Sequence, residues 1–217
     1  MPVGNPDGGA GHFRSVHDDV VQTSAGTQAP DAALWAELLD GEPRALGELF
    51  DRYSRQVYNF AFRRTASWAL AEEVTQATFV SLWRRSRTLS GGLDNGRGWL
   101  FAIAENECRN AVRAVVRADR LSTRLRDHAD ADVVADPADG VSDRIDAERA
   151  MVELRGVLRR LPTHEQRTIE LVVWSGLSTA EAAAALGVAE GTVKSRLSRA
   201  RGRLSRLLPP PTEGGRP

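Results

Sequence analysis

Apolar residues return every three or four positions through much of this chain. Leu46, Leu49, Phe50, Tyr53, Val57 and Phe60 follow that spacing, which predicts one long amphipathic helix over 43–65. Further helices are predicted over about 69–87 and 96–118, the latter after the loop "TLSGGLDNGR". No stretch shows the two-residue alternation between hairpin turns that marks a sheet. The pattern predicts an all-α protein of two small helical domains.

The first domain, 30–118, holds eleven of the thirteen aromatic residues and so has the material for a core. Residues 119–143 contain no aromatic residue and little to bury, and read as a flexible acidic linker. The segments 1–29 and 209–217 are rich in Gly and Pro, lack apolar periodicity, and read as disordered tails.

The second domain, 144–208, carries two helix-start signatures, Thr163-x-x-Gln166 just after Pro162, and Ser178-x-x-Glu181. Each fits a capping box, in which side chain and backbone satisfy one another's free groups. Ser178 would cap "TAEAAAAL", and Gly187 can take the left-handed conformation that ends such a helix. Alanines 182–185 are small enough for a second helix, starting at Thr192, to cross closely. Helix, glycine turn and helix make a helix-turn-helix, whose second helix enters the DNA major groove.

Projected at about 100° per residue, that second helix gathers Val193, Leu197, Ala200, Leu204, Leu207 and Leu208 on one face. Ser195, Arg199, Gly202 and Arg206 fall opposite, with Thr192 nearby. Lys194 and Arg201 flank one side, Arg196 and Arg203 the other. An arginine fork can bond guanine O6 and N7 together, and the flanking cations suit phosphates.

Charge sharpens the picture through its distribution, because the formal net charge is zero. Asp127 to Asp146 holds seven aspartates against one arginine, whereas Glu190 to Leu208 holds one glutamate against six cations, among them the chain's sole lysine, Lys194. Cys108 is the single cysteine, and the four histidines are scattered, so neither a disulfide nor a metal site is expected. No phosphate-binding glycine loop or nucleophile beside a base suggests catalysis, and no cofactor is implied. No apolar run approaches membrane-spanning length and no secretory signal opens the chain, which points to the cytoplasm without direct membrane insertion.

The segment "LRRLPTHEQRTIELVVWSGLSTAEAAAALGVAEGTVKSRLSRARGRL" resembles region 4 of the sigma-70 family. Separately, "LAEEVTQATFVSLWRR" with "GWLFAIAENECRNAVR" resembles region 2. Their order and spacing are similar to the small extracytoplasmic-function sigma factors, over about 31–208. The resemblance implies binding to bacterial core RNA polymerase, recognition of the promoter −35 element by region 4, and reading and opening of the −10 element by region 2. It implies −35 contacts for Lys194, Ser195, Arg196 and Arg199, beside Thr192. It matches Glu73 and Gln76, next to Glu72, to the surface that meets the polymerase clamp. Asn95 and Arg97 are candidates by residue type for a flipped −10 base, and Asn106 and Arg113 match positions near the melted strand.

The chain departs from the family where "ARN" is replaced by Ala104-Glu105-Asn106, and where an aspartate is replaced by Asn110. A carboxylate near phosphates should weaken backbone contact there. Trp99 is expected in the core. The linker aspartates 127, 130, 132, 136 and 139 fit either an RNA mimic in a basic channel or a solubilising spacer. An anti-sigma factor or other regulator is the further partner the family implies. The alternative reading is a stand-alone helix-turn-helix regulator that binds operators as a dimer.

Overall fold

The structure, a computed structural model, describes residues 30–88, 95–126 and 141–207. Among them the regular elements are α1 (Asp31–Leu39), α2 (Pro43–Thr65), α3 (Trp68–Ser86), α4 (Gly96–Arg126), α5 (Val141–Leu158), α6 (Thr163–Ile169), α7 (Thr179–Leu186) and α8 (Glu190–Leu207). A π-helical turn, Glu170–Trp174, prolongs α6. No strand occurs among the described residues. The tails and the linker aspartates lie outside them.

The predicted apolar stripe of α2 is its buried face. Leu49, Tyr53, Val57 and Phe60 are buried, as are Val74 and Leu82 of α3 and Leu100, Phe101 and Ile103 of α4. Phe60 meets Phe101 edge to face, with ring centroids 5.5 Å apart. Each such side chain contributes about 1.5–3 kcal/mol by leaving water. Pro43 stands in the first turn of α2, where its missing N–H costs nothing. Helix α1 buries Leu34, Trp35 and Leu38 and is pinned by Asp31, which accepts hydrogen bonds from Arg52 and Tyr53. The ring of Trp35 lies directly against Gly96, where a β-carbon would collide with it, so α1 fixes where α4 begins.

The second half packs α6 and α7 on α8, around Leu161, Ile169, Leu171, Leu177, Ala182, Val193, Leu197 and Ala200. It also packs on the first half, through α7 on α4 and through the π turn and α5 on α2. All these helices fall within one compact unit, Asp31–Pro217.

Four local expectations change. Helix α4 runs to Arg126, past the expected end at 118. Helix α8 starts at Glu190 rather than Thr192, its first turn closed by the Thr192 N–H donating to the Ala189 carbonyl at 2.9 Å. Pro162 occupies the N-cap of α6, so Thr163 is already helical, its side chain caps nothing, and Gln166 instead donates to Glu170 at 2.8 Å. Trp99 is half-exposed, and Leu100 and Phe101 fill the core in its place.

Candidate nucleic-acid interface

The turn between α7 and α8 is built as its sequence reads. The Ser178 hydroxyl accepts the Glu181 N–H at 3.1 Å, and the Glu181 carboxylate accepts the Ser178 N–H at 2.7 Å, completing the box. Gly187 ends α7 at φ +64°, in the left-handed region. The Thr179 hydroxyl then donates to Glu190 at 2.7 Å, tying the start of α7 to the start of α8.

Helix α8 buries Val193, Leu197 and Ala200, which turns Lys194, Ser195 and Arg199 outward, with Thr192 and Arg196 half-buried beside them. The five candidates therefore share one solvent-facing surface. Arg199 is pre-set along the helix, donating to the Ser195 carbonyl and hydroxyl at 3.3 Å each. Lys194 pairs with Glu190 at 2.8 Å, and that hydrogen bond holds the Glu190 carboxyl below its ordinary range. Arg203, expected to flank the site, is turned to the buried Glu165 of α6 at 3.2 Å and serves packing.

The four −10 candidates do not come together. Asn95 is the N-cap of α4, its Oδ1 accepting the Gly98 N–H at 2.9 Å, while its Nδ2 donates to the Glu181 carbonyl of α7 at 3.0 Å. Arg97 spans the same junction. It donates to the Ser175 carbonyl at 2.9 Å and the Gly176 carbonyl at 3.2 Å, lies 3.5 Å from the Glu181 carboxylate, and touches Gln56. Asn106 and Arg113 lie further along α4, about half a turn round from Arg97 at 3.6 residues per turn. Asn106 accepts from Arg109 at 3.2 Å, and Arg113 borders a cavity of about 190 Å³ with Arg64, Cys108, Arg109 and Arg155.

Glu105 is buried, and Arg167 of α6 grips it through two hydrogen bonds of 2.7 Å each. That bond raises the Arg167 pKa. Arg64 approaches Glu105 at 3.9 Å and Glu170 of the π turn at 3.1 Å. Burial pushes the Glu170 carboxyl up despite Arg64 beside it. Arg155 of α5 donates to the Thr65 carbonyl at 2.8 Å, closing the end of α2, and Arg63 donates to the Trp174 carbonyl at 3.1 Å. Burial, then the nearby Arg159 and Arg64, lowers the Arg155 pKa. Carbonyls at a helix end lack partners and carry partial negative charge, so arginines from the opposite half satisfy them. Hydrogen bonds to charged groups contribute about 1.5–3 kcal/mol each in favourable settings.

Sequence reasoning missed this junction. The available signal was Glu105 itself, an acidic residue where the family pattern has a cation. In this conformation it faces Arg167 rather than phosphate.

On α3, Glu72, Glu73 and Gln76 are all exposed on a single open face, backed by the buried Val74, Thr75 and Phe79. No helix among the described residues is long and apolar enough to cross a membrane.

Comparison with known proteins agrees with this architecture. The model for sigma-70 region 2 matches residues 49–118 and that for sigma-70 region 4 matches 151–204. The chain is 34% identical over 185 residues to the ECF RNA polymerase sigma factor BldN of Streptomyces coelicolor, covering 82% of this chain and 67% of that one. It is 32% identical over 178 residues to the ECF RNA polymerase sigma factor SigM of Mycobacterium tuberculosis, covering 82% and 84%. The solved structure of CnrH in complex with the cytosolic domain of CnrY superposes with a TM-score of 0.58 at 26% identity, over 82% of this chain and 96% of that one. The chain belongs to the sigma-70 family, among its extracytoplasmic-function sigma factors.

Proposed function

We propose that this sigma factor carries core RNA polymerase to promoters whose −35 element is read by the outer face of α8 and whose −10 element is read by the start of α4. The observation that carries the reading is the outer face of α8, with Lys194, Ser195 and Arg199 exposed and Thr192 and Arg196 half-buried beside them, behind the capped turn. In this reading Arg199 meets base edges, and Lys194 and Arg196 meet phosphates. Asn95 and Arg97 supply donors for an extruded −10 base, with Asn106 and Arg113 further along the strand. Glu72, Glu73 and Gln76 form the face that meets polymerase.

The energetics assign the labour. Opening about ten base pairs costs on the order of 14 kcal/mol at about 1.4 kcal/mol per stacking step. A chain this small makes too few contacts to supply that alone, so melting belongs to the complex with polymerase. CnrH was solved with a bound protein, CnrY, and an anti-sigma protein is the regulator proposed for this chain too.

The test is run-off transcription with bacterial core polymerase and a promoter library, with the chain added or omitted. Initiation that depends on the chain supports the reading and delivers the promoter sequence. Tight duplex binding by the chain alone, with no initiation, would replace it by an operator-binding regulator.

A further inference from the structure

The arginines gathered where α2, α4 and α5 meet outnumber the carboxylates that face them. Arg64 approaches both Glu105 and Glu170, and Arg109 approaches Glu105 at 3.9 Å. The two-pronged bond to Glu105 is already taken by Arg167. Arg64 and Arg109 also line the cavity of about 190 Å³, together with Arg113 and Arg155, above an apolar wall of Cys108 and Val112. Among the described residues, Arg64, Arg109, Arg113, Arg155 and Arg167 thus stand against Glu105 and Glu170 alone.

The hydrogen bonds leave the same deficit as the charges. The Nε atoms of Arg64 and Arg109 are buried and have no hydrogen-bond partner among the described residues. The Arg64 Nε stands 3.1 Å from Glu170 without being aligned to it. Buried donors left unpaired are costly, and an ion in the adjoining space is one of the few things that satisfies them. The Arg155 pKa is lowered by burial and then by Arg159 and Arg64, a penalty that an anion in the cavity would relieve.

We propose that this cavity binds a small phosphate-type oxyanion, held by Arg64 and Arg155 from within and by Arg109 and Arg113 at its mouth. Guanidinium forks match the oxygens of a phosphate better than they match a spherical halide. The volume equals that of roughly six water molecules at about 30 Å³ each, which suits orthophosphate rather than a whole nucleotide. Arg113 also lies on the proposed −10 path, so a strand phosphate is a second source of the same chemistry. The site itself does not rest on the promoter reading.

The experiment titrates the full chain with orthophosphate by calorimetry, at constant ionic strength in chloride, and separately with a mixed-sequence single-stranded oligonucleotide. Saturable uptake of one orthophosphate per chain is expected, weakened about tenfold or more in the double variant Arg109→Gln, Arg113→Gln. Arg44→Gln removes the same charge at the other end of α2 and should bind as the wild type does. Circular dichroism identifies the folded variants, and if the double variant does not fold, the exposed Arg113→Gln alone is read in its place. No saturable uptake of orthophosphate by the wild type overturns the site. Uptake of the oligonucleotide alone, lost in the double variant, overturns it in favour of a strand backbone. Equal orthophosphate affinity in the folded variant, or an equal loss with Arg44→Gln, overturns the assignment to this cavity.

Discussion

The guanidinium of Arg64 stands 3.1 Å from the carboxylate of Glu170, with side chains 14% and 0% exposed. The pair joins α2 to the π turn, and among the described residues Glu105 is the other carboxylate near Arg64, at 3.9 Å. Removing one partner of a buried pair strands the other charge, at a cost of about 3–5 kcal/mol. Arg64→Met should lower the urea midpoint accordingly, and Arg64→Met with Glu170→Met should recover much of the loss. A double variant no better than Arg64→Met would show that Glu170 is not the charge being stranded.

Two helix starts that look alike in sequence should respond differently. Ser178→Ala removes a hydroxyl that accepts the Glu181 N–H, and should cost about 1 kcal/mol in chemical denaturation. Thr163→Ala removes a side chain that caps nothing and should change stability by less than about 0.5 kcal/mol. Gly187→Ala should cost about 1–2 kcal/mol from its φ of +64° alone, because no atom lies within 4 Å of the added carbon.

Burial pushes the Cys108 thiol up to about 12, from an ordinary value of 9.0. Its thiolate is scarce at pH 8, so a thiol reagent should modify native protein on the order of a thousandfold more slowly than unfolded protein. The folded value lies above the unfolded one, so this group's stabilisation is complete below about pH 9 and is lost as pH rises toward 12. Melting temperatures measured between pH 8 and 11 should fall less steeply for Cys108→Ala.

On α8, Arg199→Ala should remove about 1–3 kcal/mol of discrimination at one −35 base pair. Lys194→Ala should weaken binding to every promoter alike and reduce the salt dependence by about one counterion. Transcription on a panel of −35 variants separates the two. A uniform loss with Arg199→Ala would remove it from base reading.

Against α3, Glu73→Arg reverses a charge on a fully solvated face. It should leave the melting temperature nearly unchanged while reducing capture of core polymerase tenfold or more. Equal capture by the variant would move the polymerase contact elsewhere.

Much of this architecture was legible because it is local. The limits of α2 follow from its apolar stripe and Pro43, and the turn at Gly187 from a cap and a glycine nine residues apart in sequence. The −35 candidates share a face because helical periodicity alone sorts them. What joins the halves was not legible. Glu105 and Arg167 are 62 positions apart, and a single charge in each helix carries no periodic signature. Nor does residue type reveal that Arg97 turns toward the Ser175 and Gly176 carbonyls, between the π turn and α7, while Asn106 bonds Arg109 of its own helix. Thr163 misled because Pro162, whose extended backbone suits an N-cap, took the position one residue earlier.

The two ends of the Asn95 amide have different fates. Its oxygen is committed to the Gly98 N–H inside its own helix, and only its nitrogen faces outward. Whatever displaces the Glu181 carbonyl from that nitrogen must itself bring an acceptor to keep the amide donor paired. The cap thus favours an acceptor in the position region 4 now fills.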